Sequence, residues 1–122
     1  MIKSFRDLEV YQESFQLQLE IEEVLKGFPQ GEKFLLCDQM HRSCRAIPAL
    51  IVEGWSKRES LKEFQKFLRD AIAEANEMVN HLLLTVAKKY IKKSGYGEEL
   101  ISRYERLVKK ITNLKNNWQN FK

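Results

Sequence analysis

Glycine and proline are scarce, with five Gly and two Pro in 122 residues. That scarcity argues against a chain of many short strands and tight turns, and against a long low-complexity linker. Cysteine is nearly absent as well. Two Cys without a secretory leader fit a reducing compartment, where free thiols pack as small hydrophobes. No long apolar run exists: LLLTVA at 82–87 is too short to span a bilayer, and MIKSFRDLEVYQES acquires charge too early for a secretory signal. The expectation is a cytoplasmic protein with no membrane partner. Also missing are a phosphate-binding glycine loop, a dinucleotide fingerprint and a paired-carboxylate motif, so no catalytic residue, metal or cofactor is expected.

What is present is apolar and charged in helical order. Hydrophobic residues make up 43% and charged residues 31%, enough for one core in one domain over residues 1–122. Leu61, Phe64, Leu68, Ala71, Ala75, Met78 and Leu82 recur in steps of three and four, with Val79, Leu83, Val86 and Tyr90 continuing the stripe. Ile101, Tyr104, Val108, Ile111, Leu114 and Trp118 repeat the pattern after Ser94-Gly95-Tyr96-Gly97, whose glycines can supply a left-handed helix end. Phe34, Leu35, Met40, Cys44 and Ile47 form an earlier segment, separated from the first by Gly27, Pro29 and Gly31. The spacing predicts helices over roughly 5–27, 32–54, 57–93 and 98–119, joined as an antiparallel up-down four-helix bundle, an all-α fold.

The first segment is less regular, because FQLQLEIE at 15–22 alternates like a half-buried strand. Its Leu, Gln and Glu nonetheless favour helix. Two stripes lie on nearly opposite faces of that helix: Leu8, Tyr11, Phe15 and Leu19, and Val10, Leu17, Ile21, Val24 and Phe28. A second apolar face calls for a second subunit, or for a helix tucked so deeply that both faces meet one core.

Pro48 and Gly54 punctuate the second segment. Pro48 lacks an amide hydrogen and its ring crowds the carbonyl four residues back, which predicts a kink or restart there. Gly54 is expected to allow a left-handed exit, and Ser56 with Glu59 has capping-box spacing for the next helix. Glu53, at the end of ALIVE, lacks a local explanation.

Cys37, His41 and Cys44 would lie on one helical face. Seven residues of helix separate the thiols by about 10.5 Å, whereas two thiolates on one zinc approach within about 4 Å, so neither a shared metal nor an internal disulfide is expected. A Cys44–His41 nucleophile lacks an orienting group, and Glu77 with His81 reads as a surface or interface pair.

Charge is unevenly spread. Residues 1–53 hold six Lys/Arg against nine Asp/Glu, while residues 85–122 hold ten against three. Lys88, Lys89, Lys92 and Lys93 extend the third helix, and Arg103, Arg106 and Lys110 share a face of the fourth. These seven are the candidate nucleic-acid-binding residues, with Tyr96 and Trp118 as candidate stacking groups. The competing reading is a solvated surface and a bundle core.

Gln39-Met40-His41-Arg42, Ile47-Pro48, Glu53-Gly54, Lys57-Arg58 and Glu63-Phe64-Gln65-Lys66-Phe67-Leu68 together resemble the hallmark string of one family of small helical proteins. Phe5-Arg6-Asp7-Leu8 with Val10, and Ala75-Asn76-Glu77-Met78 with His81-Leu82, extend the resemblance over nearly the whole chain. That family is named for members encoded by intervening sequences in bacterial 23S ribosomal RNA genes. The resemblance implies an antiparallel four-helix bundle assembled as a homopentameric ring. Its relatives include accessory proteins of diversity-generating retroelements, which engage a reverse transcriptase and its RNA. Ala46, Leu50 and Glu74 depart from the family pattern. Arg42, Pro48, Glu53, Gly54, Arg58 and Glu77 are carried over as structural or interface positions, with Glu53 and Glu77 expected to face Arg42 or Arg58, within or between subunits. The implied function is a non-enzymatic oligomeric adaptor binding RNA or DNA backbone. The alternative is a protein-binding scaffold without direct nucleic-acid contact.

Overall fold

The computed structural model describes residues 1–121. Among them are four α-helices: α1 (Glu9–Leu25), α2 (Leu36–Ser56), α3 (Leu61–Ala87) and α4 (Tyr96–Asn116). Short 3-10 turns occupy Phe5–Asp7, Gln30–Glu32 and Trp118–Asn120. Helices adjacent in sequence pack side by side and α4 closes against α1, giving the antiparallel up-down bundle. The strand-like alternation at 15–22 folds as helix, because the apolar residues of α1 find a core at helical spacing through Val10, Leu17, Ile21 and Leu25.

The core follows the helical stripes. Met40, Ile47 and Ile51 of α2 meet Phe64, Leu68, Ala71, Ala75, Met78 and Leu82 of α3, and Leu100, Tyr104, Leu107 and Ile111 of α4. Each fully buried Leu or Ile among them stabilises the fold by about 1.5–3 kcal/mol relative to leaving it in water. Trp118 closes one end, its ring centroid 4.6 Å from Phe64 and 6.0 Å from Trp55. Leu61 and Leu83, expected in the α3 stripe, are exposed at its margins, and Phe34 and Leu35 precede α2 in the open.

The helix ends differ from the sequence expectation for identifiable reasons. A 3-10 turn after Pro29 and the non-helical backbone of Leu35 delay α2 to Leu36. Passing Pro48 without interruption, α2 continues to Ser56, so the helix does not restart there. Ser56 therefore caps nothing: its hydroxyl donates to Val52 O at 2.8 Å, and Ser60 accepts from Glu63 N at 3.2 Å to begin α3. Gly54 is not a left-handed exit. It lies buried within α2 against α3, where a Cβ would stand 3.2 Å from Phe67 Cβ.

At its other end α3 stops at Ala87, not Lys93. Lys89 takes the left-handed conformation at φ 60, and the amides of Lys89 and Tyr90 donate back to Val86 O and Thr85 O. These two reverse bonds form a Schellman closure without glycine. Gly95, at φ 78, instead precedes α4. Gly97 lets α4 approach the end of α3, since a Cβ there would lie 2.5 Å from Val86 Cγ2. Gly97→Ala is expected to destabilise the protein by about 1 kcal/mol, overpacking being partly offset by helix propensity. In the Val86→Ala background the penalty should vanish; a penalty of equal size by urea denaturation would mean the close approach is not its cause.

Candidate nucleic-acid interface

The seven candidate cations divide into two groups. Arg103 and Lys110 are committed within the protein. Arg103 donates to both oxygens of Glu20 at 2.9 and 2.6 Å, and Tyr96 Oη donates to the same carboxylate at 2.7 Å. Lys110 bridges Glu9 and Glu13 on α1 at 2.6 and 2.5 Å. The seam between α1 and α4 is thus laced by ion pairs. The Arg103 guanidinium holds the Glu20 carboxyl well below the usual carboxylate range, at about 2. Burial, then the Glu20 carboxylate, pushes the Tyr96 hydroxyl up to about 12. Only Arg106 of this face is exposed and without a carboxylate partner among the described residues.

Lys88, Lys89, Lys92 and Lys93 lie in the connection between α3 and α4, not on the end of a helix. All four are exposed, and none meets a carboxylate among the described residues. Tyr90, between the two pairs, anchors this connection to the one between α1 and α2. Its hydroxyl donates to Glu32 at 2.7 Å and its ring lies 5.2 Å from Phe28. Lys88 and Lys93 lean over the Tyr90 and Tyr96 rings, 6.0 and 5.1 Å from their centroids. The cationic cluster is therefore held on a folded platform at one end of the bundle.

The expected stacking groups are otherwise employed. Trp118 is in the core, and Tyr96 is half-buried and bonded to Glu20. Their spacing was compatible with both roles; tertiary packing decided. Phe34, at 81% exposure, is the open ring that the helical stripe concealed.

The structural positions also rearrange. Within the chain Glu53 faces neither Arg42 nor Arg58 but lies 3.5 Å from Lys57, one turn on. Arg42 pairs with Asp38, and the Arg58 guanidinium stacks 3.9 Å over Trp55 while donating to its carbonyl. Glu77 pairs with neither arginine within the chain; it sits beside Glu74, whose carboxyl is raised by burial and by this neighbour. Arg42, Glu74, Glu77 and His81 line one shallow groove between α2 and α3. The imidazole of His81 is pushed down by burial. Cys37 and Cys44 point their thiols to separate backbone carbonyls, of Leu25 and His41, and burial pushes the Cys44 thiol up to about 12. Among the described residues no three His, Cys, Asp or Glu side chains are placed to hold a metal ion. No helix among them is long and apolar enough to cross a membrane.

On α1 the two stripes part. Leu8 joins the core, Tyr11 is half-buried, and Phe15 and Leu19 face outward at 43% and 47% exposure.

Comparison with known proteins agrees with the bundle. A crystal structure of a protein of unknown function from the S23 ribosomal protein family of Bacteroides thetaiotaomicron superposes with a TM-score of 0.77. It is 25% identical, and the match covers 88% of this chain and 96% of the other. No curated protein matches significantly. The family model for the 23S rRNA-intervening sequence protein matches residues 6–113, spanning all of α1, α2 and α3 and most of α4. The chain belongs to the 23S rRNA-intervening sequence protein family.

Proposed function

We propose that the protein is a non-enzymatic, oligomeric nucleic-acid-binding adaptor of the cytoplasm, serving as accessory to a reverse transcriptase and its RNA. The observation that carries the binding is the cluster Lys88, Lys89, Lys92 and Lys93, exposed at one end and free of carboxylate partners among the described residues. Such a surface gains affinity by releasing counterions from phosphates, without reading sequence. Arg106 adds one further cation, whereas Arg103 and Lys110 would have to leave α1 carboxylates to take part.

Phe15 and Leu19 give the assembly its motive, since an exposed apolar pair on a helix is covered at low cost by a second copy. A homopentameric ring would repeat the cationic end five times and multiply weak phosphate contacts by avidity. The same pair also favours a second reading, a protein-binding scaffold that recruits its partner through α1 and touches no nucleic acid.

Binding of nucleic-acid-free protein to a structured RNA and a DNA duplex across a salt series, with assembly mass recorded, separates the two. The adaptor is expected to bind as an oligomer and to weaken steeply as salt rises. An intact oligomer that binds neither at low salt would leave only the scaffold.

A further inference from the structure

Phe34 stands at the end of the bundle that carries the lysine cluster, bordering a groove lined also by Glu22, Lys33, Asp38 and Arg45. The ring is 81% exposed, with Lys33 Nζ 5.5 Å from its centroid. Lys33 and Phe34 directly follow Glu32, the residue that accepts from Tyr90 Oη. Tyr90 in turn is flanked by Lys88 and Lys89 before it and Lys92 and Lys93 after it. The two connections therefore meet at one end of the bundle, which carries the exposed Phe34 ring and five lysines.

Duplex nucleic acid matches the lysines but hides the faces of its bases, so it leaves Phe34 in water. A purely apolar partner would cover Phe34 while leaving the ammonium groups unanswered. An unpaired nucleotide supplies both a π face and adjoining phosphates, and stacking on an aromatic ring is tolerant of base identity. Tyr90 and Tyr96 are less suited, because both are half-buried and their hydroxyls are bonded to Glu32 and Glu20.

We infer that this end of the bundle binds single-stranded nucleic acid, with a base stacked on Phe34 and neighbouring phosphates held by Lys33, Lys88, Lys89, Lys92 and Lys93. The inference rests on the nucleic-acid reading above and narrows it from phosphate backbone in general to unpaired strand.

The test compares an oligothymidylate, an abasic strand with the same number of phosphates, and a blunt duplex, at one salt concentration, with wild type and Phe34→Ala. The substitution should weaken binding of the oligothymidylate by about tenfold, leave the abasic strand and the duplex unchanged, and keep the melting temperature. Phe34→Trp should retain the affinity. Equal affinity of Phe34→Ala for the oligothymidylate, or an equal loss on the abasic strand, would overturn the stacking inference while leaving phosphate binding in place. A changed assembly mass would overturn it too, by assigning Phe34 to a contact between copies. So would loss of sedimentation with phosphatidylserine vesicles without loss of oligonucleotide binding, by assigning the ring to lipid. Failure of the wild type to bind any of the three nucleic acids would remove the underlying reading as well.

Discussion

Gly54→Val is expected to lower stability by about 3 kcal/mol, the upper end of ordinary overpacking. The reason is distance. At this point α2 meets α3 so closely that a single Cβ would lie 3.2 Å from Phe67 Cβ and 3.4 Å from the Phe64 carbonyl oxygen. Phe67 has little freedom to yield, since its Cβ is fixed to the α3 backbone and the residue is buried. The carbonyl belongs to the α3 backbone and moves only with the helix. Gly54→Ala adds one carbon, needs a shift of a few tenths of an ångström, and recovers about 1 kcal/mol of helix propensity, so it should be near neutral. Urea denaturation of both variants checks the pair. A Gly54→Val protein within about 0.5 kcal/mol of wild type would show that α2 and α3 are not so closely opposed.

Glu20→Gln comes next, with an expected loss of about 2 kcal/mol at neutral pH. Glu20 accepts both Arg103 nitrogens and the Tyr96 hydroxyl, so the carboxylate ties α1 to the start and the middle of α4. Both partners of the ion pair are about three-quarters shielded, at 23% and 24% exposure. The value of about 2 against an ordinary 4.5 corresponds to more than 2 kcal/mol if taken in full, and residual contact with water reduces it. The sign follows from linkage. A carboxyl held lower in the folded state contributes its stability above pH 4.5 and loses it as the pH falls toward 2. Wild type should therefore lose stability between pH 5 and pH 3. Glu20→Gln should lose less over the same interval, by more than about 1 kcal/mol. Parallel losses in the two proteins would mean that Glu20 does not carry this part of the acid sensitivity.

Helical periodicity made the architecture legible, most clearly in α3, where Phe64 through Leu82 recur as a core stripe. Boundaries were harder because their causes are tertiary or conformational. Lysine is a good helix former, so nothing in Lys88-Lys89 announces a stop; the stop is Lys89 turning left-handed and the reverse bonds to Thr85 and Val86. Gly54 resembles punctuation in a string of letters, yet its role is to admit a neighbouring helix 10 or more positions away in sequence.

The candidate site was half legible for the same reason. The charge excess of residues 85–122 pointed to the stretch that holds the exposed lysines without carboxylate partners among the described residues, and helical spacing placed Arg103, Arg106 and Lys110 on one face. Spacing along α4 carries no information about Glu9, Glu13 and Glu20, which neutralise two of those three cations from α1. Phe34 and Leu35 fit the near-helical spacing of the second segment. The non-helical backbone at Leu35 leaves both outside the core. A phenylalanine directly after a lysine and before the first secure turn of a helix was the available signal.

The most direct test of the account is the slope of log affinity for RNA against log salt, measured for wild type and for a protein carrying Lys88→Ala, Lys89→Ala, Lys92→Ala and Lys93→Ala. If those lysines meet phosphates, the slope should shrink by about three to four, roughly 0.9 for each contact on duplex and 0.7 on single strand. An unchanged slope in a folded quadruple variant would contradict the assignment of this end of the bundle as the nucleic-acid interface.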